Sequence, residues 1–519
     1  MNKDLKLMKI CTDNEIQGLF LKSVKEKFEY PLDKDVRDEI IKIIEKMNDD
    51  NDDYEIFKHK DALSNLWKSL IEKSIKCLRL FDIREPFTNK KSLYEKEFKV
   101  CKDKNPSAYG IDVLFKYYMK NTEFENILYG ASKYYRDHVI HVFRTWLLGI
   151  QCLVKCNFLE ELCIKIKDKE SVDLNNCEKL SIWTIIALTH DLGYPLEKAK
   201  GIIDTTNDMV STFLTNPNIT MDLSFHGVQN YMNDFILRLI SSKMEKIKPS
   251  DNYYARLQPK YYFKLQKSLE KTDHGIISTL IIYKLLTYFL ESDYNINEDY
   301  PFDIDERRQF YIRREILRSI ASHTCKDIYH LYMCSFAFLL IIADDTQEWG
   351  RKYISELYVE SGNEYELDKI DFIVGKPNKC EIIENYKLQE KHGYDAVKNL
   401  LLKLHKQALS YIMMFRDGQD TGNRDFTFIK TCNITYECSK AKITLKLNLD
   451  INNDKQSNFT GNIDYINEAD ISEKFIGNFL KYLFFESELK NIVHIDLENE
   501  QNNEQINWKG KVFSFPLNY

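Results

Sequence analysis

Five segments of this chain are apolar on most of their helical circumference, and they constrain its fold more than any other feature. They are Val139–Val154, Ser181–Thr189, Gly275–Leu290, Ile312–Ala321 and Tyr329–Ala343. Such helices belong in the interior of a larger bundle. Glycine (17) and proline (10) are scarce over 519 residues. At roughly half their usual share they favour long helices and exclude collagen-like, low-complexity and turn-rich all-β chains. The length exceeds one compact core, given domains of about 150 residues.

The expected fold is therefore mainly α, in three parts. Residues 1–125 form an N-terminal helical region, with helical periodicity at Ile16–Phe28 and Val36–Met47 and an acidic loop at Asn48–Asp53. Residues 126–355 form the bundle. Residues 356–519 form an α+β domain of unknown role. Its β-like alternation lies at Glu364–Val374, Thr427–Tyr436 and Lys440–Ile451, its helices at Ala396–Met414 and Ile471–Leu489, and its clearest loop at Asp417–Arg424. The end from Glu498 to Tyr519 has no evident assignment.

A net charge of −7 and a pI near 6.0 give no basic field to draw the chain onto nucleic acid or anionic lipid. The start lacks an apolar signal segment, and the longest apolar run, Cys334–Ala343, is about half the ~20 residues of a membrane span. Twelve cysteines in no CxxC pair fit reduced, buried thiols. These features lead us to expect a cytoplasmic protein with no membrane partner.

Each apolar segment carries ionisable groups at one end. His138 and His141 open the first, and His190-Asp191 closes the second. Asp273-His274 begins the third, His323 ends the fourth, and Asp344-Asp345 ends the fifth. Seven of the eleven histidines fall between 138 and 330. Buried carboxylates need partners, and a divalent cation would satisfy several at once. Imidazole nitrogens with carboxylate oxygens suit Mn, Fe, Co or Zn, and Mg where oxygen ligands dominate.

The ordered set His141, His190-Asp191 and Asp344 resembles the HD superfamily of metal-dependent phosphohydrolases, whose pattern is H…HD…D on a bundle of five or more helices. Thr-His-Asp-Leu-Gly-Tyr-Pro195 and Leu-Leu-Ile-Ile-Ala-Asp344 carry the local likeness. His274 and His323 stand where some phosphodiesterase branches add two histidines. The ending Ala343–Arg351 is similar to bacterial HD proteins associated with conflict or defence. The resemblance covers about 126–355. It implies an HD-type bundle holding one or two divalent ions through His141, His190, Asp191, Asp344, His274 and His323. His190 and Asp191 would take part in catalysis. The first ligand is His138 or His141, with His141 preferred and His138 then facing the substrate.

Several of these residues also have ordinary explanations. Asp273 has the character of an N-cap, His323 could satisfy a helix end, and Asp345 is most simply solvated beside Asp344. His226 and His330 are expected to be unremarkable. Arg144, Arg136, Lys198 and Arg351 are candidate phosphate contacts, with Arg offering a bidentate fork. The arginine-rich stretch Arg307–Arg318 spreads around its helix and fits a solvated, snorkelling face. The expected function is hydrolysis of a phosphoester or phosphodiester in a nucleotide-type small molecule. The alternatives are a nucleotide-sensing or partner-binding effector built on an HD scaffold, and a nuclease, which the charge does not favour. The oligomeric state is not legible.

Overall fold

The computed structural model describes residues 60–82, 110–131, 137–155, 158–167, 170–213, 219, 228–246, 252–291, 300–325, 327–328, 331, 333–348, 366–373, 379–389, 393–415, 427–438, 441–452, 458–467, 471–495 and 508–516. The expected helices at Ile16–Phe28 and Val36–Met47, the loops at Asn48–Asp53 and Asp417–Arg424, and residues Arg136, His226, His330 and Arg351 lie outside them. The protein is mainly helical, with a mixed sheet in its C-terminal part. No described helix is long and apolar enough to cross a membrane.

The first eleven helices are α1 (Lys60–Asp82), α2 (Ile111–Ala131), α3 (Val139–Lys155), α4 (Phe158–Glu161), α5 (Asn176–Thr189), α6 (Tyr194–Ser211), α7 (Val228–Ser241), α8 (Pro259–Glu270), α9 (His274–Leu285), α10 (Ile304–Thr324) and α11 (Phe336–Thr346). Helix α5 is the axis of the bundle, buried at every residue from Glu178 to Thr189. It packs against α1, α3, α10 and α11. Asn175 starts α5 with a capping box closed by Glu178. Its other end is tied by side chains from three neighbouring helices. Trp67 Nε1 donates to the Leu188 carbonyl at 2.7 Å, Ser278 Oγ to that of His190 at 2.6 Å, and Tyr117 Oη to that of Leu192 at 2.9 Å. These bonds occupy carbonyls that a helix end would otherwise leave orphaned, and they lock the His190-Asp191 turn in place.

Two glycines set how closely the helices approach. A Cβ on Gly149 would lie 1.9 Å from the Trp183 ring, where α3 meets α5. A Cβ on Gly275 would lie 2.6 Å from the Ile320 carbonyl oxygen, where α9 meets α10. The first contact brings His141 towards His190, and the second brings His274 towards His323.

The third apolar segment ends its α-helix at Leu285 and continues as a 3-10 turn over Thr287–Phe289. Among the described residues of the fifth, the helix starts at Phe336, where Ser335 caps it by accepting from the Phe338 amide. The arginine stretch on α10 is not a solvated face. Arg313 is 1% exposed, donating to the Tyr288 carbonyl at 3.0 Å and to Asp82 at 2.9 Å. Arg308 pairs with the buried Glu178, and Arg307 with Glu170 at 2.9 Å. These side chains join helices, which residue spacing along one helix could not reveal.

Two small antiparallel sheets decorate the bundle: β1 (Lys165–Lys167) with β2 (Glu170–Ser171), and β3 (Ser242–Lys246), β4 (Tyr253–Leu257) and β5 (Pro301–Phe302). The C-terminal strands are β6 (Glu366–Ile373), β7 (Lys379–Gln389), β8 (Thr427–Cys438), β9 (Ala441–Asn452), β10 (Asn458–Asn467), β11 (His494–Ile495) and β12 (Val512–Ser514). They form one sheet in the order β11-β12-β10-β9-β8-β7-β6. Only the β7–β8 pairing is parallel, and α12 (Gly393–Phe415) supplies the crossover it requires. The final helix, α13 (Ile471–Lys481), continues as a π-helical turn to Glu486 and a 3-10 turn over Glu488–Asn491. Val512–Ser514, in the unassigned C-terminal stretch, pairs with β10.

The inward positions of β8 and β9 alternate as a half-buried sheet requires, with Phe428, Cys432, Ile434 and Tyr436 facing the core beside Ile443, Leu445, Leu447 and Leu449. Lys430 interrupts this apolar face. The sheet meets the bundle through Phe338 on α11, whose ring centroid lies 5.3 Å from that of Phe428. The Leu331 amide adds a 2.8 Å bond to the Met414 carbonyl.

Candidate metal centre

Six of the side chains singled out in the sequence converge at one place: His141 on α3, His190 and Asp191 at the end of α5, His274 at the start of α9, His323 on the last turn of α10, and Asp344 on α11. Asp191 sits between the imidazoles. Its Oδ2 lies 3.4 Å from His190 Nε2 and 3.7 Å from His141 Nε2. Its Oδ1 lies 3.3 Å from His274 Nε2 and 3.8 Å from His323 Nε2. Asp344 Oδ1 adds contacts to His141 Nε2 at 2.8 Å and His190 Nε2 at 3.6 Å. Within this cluster, His141, His190 and Asp191 form one group with ligand atoms inside 4.8 Å of one another, and Asp191, His274 and His323 form another.

All four rings are oriented by their other nitrogen. His190 Nδ1 donates to the Ala187 carbonyl at 2.8 Å, and His323 Nδ1 to the Ile320 carbonyl at 2.6 Å. His274 Nδ1 meets Glu197 Oε2 at 2.7 Å, and His141 Nδ1 meets the Gln347 amide oxygen. A ring that is neutral with its proton held on Nδ1 turns its Nε2 lone pair inward, the tautomer a metal ligand needs.

Lone pairs facing carboxylate oxygens repel unless something positive lies between them. His190 Nε2 is buried with no hydrogen-bond partner, although two carboxylates stand within 3.6 Å. His274 and His323 bring their Nε2 atoms to 3.1 Å from each other. A divalent cation fits this donor set, and Asp191, with one oxygen towards each histidine pair, is placed to bridge two.

The same crowding governs protonation. Burial opposes charge on both aspartates, yet His190, His274 and His323 hold Asp191 well below the usual carboxylate range, and His141 and His190 do so for Asp344. Burial likewise works against charging His274, but Asp191 and Glu197 outweigh it and raise the ring to about 10. His323 moves the other way, because burial dominates and His274 and His190 add repulsion.

His138 and His141 stand in different surroundings. His141 reaches both aspartates, whereas His138 stacks on Tyr194 with ring centroids 3.6 Å apart. Tyr194 in turn lies 4.6 Å beneath Lys198 Nζ, which pairs with Glu197 Oε1 at 3.0 Å. The side chains of His190 and His141 are 0% and 1% exposed, against 26% for Asp344, 28% for Glu197 and 41% for Lys198. Asp344, Glu197 and Lys198 are therefore the more exposed groups in and around the cluster. Arg144 is buried at 3% exposure.

Asp273 occupies the N-cap position of α9 but makes no side-chain cap; its carboxylate accepts from Ser268 Oγ at 2.6 Å. Asp345 is half-buried rather than fully solvated. Burial pushes its carboxyl up to about 6, reinforced by Asp344 and opposed by Lys430, Tyr411 and Lys403. Glu197, Gln347 and Tyr194 were missed in the sequence. Gln347 follows Asp344 by three residues, and Glu197 sits in the first turn after the His190-Asp191 corner, so proximity to the motif was the available signal. No family model matches this chain, and no curated protein or solved structure matches it.

Proposed function

We propose that this protein is a metal-dependent phosphohydrolase of the HD type, acting on a phosphoester or phosphodiester of a nucleotide-type small molecule. The observation that carries the reading is the convergence of four Nδ1-anchored imidazoles on the buried Asp191 and the half-buried Asp344. His141, His190, Asp191 and Asp344 would hold one divalent cation, and Asp191, His274 and His323 a second. When bound, such ions lower the pKa of a water and polarise a phosphoryl oxygen.

The chain's own groups would do the rest. Glu197 and Gln347 keep His274 and His141 in their ligand tautomers. Lys198, the most exposed of these groups, would supply a positive charge for phosphate, and it lies over Tyr194, which stacks on His138. A net charge of −7 weighs against a polynucleotide substrate.

The test is metal analysis of the purified protein with a hydrolysis screen over dNTPs, NTPs, cyclic nucleotides and short oligonucleotides, supplying Mn, Mg, Co and Zn separately. Bound metal with turnover of one small-nucleotide class is expected. A protein that takes up no metal and hydrolyses none of these overturns the reading and favours a scaffold role.

A further inference from the structure

The end of α11 faces two ways. Asp344 and Gln347 turn towards His141. Asp345 and Glu348 turn towards the C-terminal sheet unit, where Glu348 pairs with Lys403 of α12 at 2.9 Å and Asp345 faces Lys430 and Tyr411. Each pair is three residues apart, the spacing of one helical face. On α12, Lys403, Gln407 and Tyr411 recur every four residues and so share a face. Lys403 holds Glu348, Gln407 Oε1 lies 3.5 Å from Lys430 Nζ, and the Tyr411 ring lies 6.0 Å from the same ammonium. Lys430 is itself fixed by Glu384 at 2.9 Å, with both side chains at 3% exposure or less. Gln347 is the C-cap of α11, its amide bonding back to the carbonyls of Ala343 and Asp344 at 3.2 Å. A rotation of this turn that freed Glu348 from Lys403 would also carry Gln347 away from His141.

We propose that Lys403, acting through Glu348, is a positioning residue for the metal centre, so that the C-terminal unit sets the geometry of the Asp344–His141 side. The proposal rests on the metal-centre reading above. It assigns the C-terminal unit a role in the site, which bundle residues alone do not.

The test uses the full chain, metal-stripped and titrated with Co(II), following the visible absorption of the bound ion. In Lys403→Met, Co(II) affinity should fall about tenfold, the low end for loss of an outer-shell partner, and the absorption band should shift. The melting temperature of the metal-free protein should not change. Glu348→Gln should reproduce the loss, and Lys403→Arg should restore both affinity and spectrum. Wild-type affinity and spectrum in either Lys403→Met or Glu348→Gln would overturn the proposal while leaving the metal centre standing. A wild-type protein that binds no Co(II), Mn, Mg or Zn would instead remove the centre itself, and the proposal with it.

Discussion

Asp191 presents its two oxygens to different pairs of imidazoles, which separates the consequences of single substitutions. Asp191→Ala should lose all bound metal. His274→Ala and His323→Ala should each lower the stoichiometry from about two ions towards one, as in a shared two-ion site. Elemental analysis reads this directly, with circular dichroism showing the helices intact. Full metal content in Asp191→Ala would exclude a bridging role. Gln347→Leu removes the acceptor that orients His141 without touching a ligand. It should weaken metal binding about 10–100-fold, measured by competition with a chelating dye.

Helix approach builds the site from these residues, and it can be disturbed without altering any ligand. Gly275→Ala drives a methyl into the Ile320 carbonyl, with Thr324 Oγ1 also 2.6 Å away. Overpacking of this kind costs about 1–3 kcal/mol and should separate α9 from α10, lowering the urea midpoint. The ion shared by His274 and His323 should weaken with it. Ser278 also acts at this level, because its hydroxyl donates to the His190 carbonyl and accepts from the Gly193 amide at 2.8 Å. Ser278→Ala strands both buried backbone groups, for a loss of about 1–3 kcal/mol in chemical denaturation. An unchanged midpoint would mean that the corner is held by Trp67 and Tyr117 alone.

The bundle extends beyond residues 126–355. Leu63, Leu66, Trp67, Leu70, Ile71, Ile75 and Leu78 of α1 are all buried, and Asp82 pairs with the buried Arg313. At about 1.5–3 kcal/mol for each large apolar side chain, their burial is worth roughly 10–20 kcal/mol. That matches or exceeds the whole net stability of about 5–15 kcal/mol of an ordinary domain. A fragment limited to residues 126–355 should therefore show no cooperative thermal transition. A sharp melt in that fragment would show that α1 is an accessory and not part of the core.

Much was legible along the chain because it depends on local pattern. The apolar segments identified the interior helices, the alternation at Thr427–Tyr436 and Lys440–Ile451 identified β8 and β9, and the ionisable ends identified the six converging side chains. Periodicity could not report which element each polar group would meet. Arg313 looks solvated on its own helix and is buried only because α1 brings Asp82 to it. Asp345 looks like a bystander and is half-buried because Lys430 and Tyr411 of the sheet unit come up to that side of α11. Glu197 and Gln347 carry no signature of their own, since orienting an imidazole takes any acceptor that arrives at the right place. Residue type and spacing alone mark which segments must be buried and which buried ends need charge compensation. That Asp191 stands between two pairs of histidines and that Glu348 faces Lys403 came from the packing of the elements, because, His190 apart, those contacts join residues 50 to 132 positions apart.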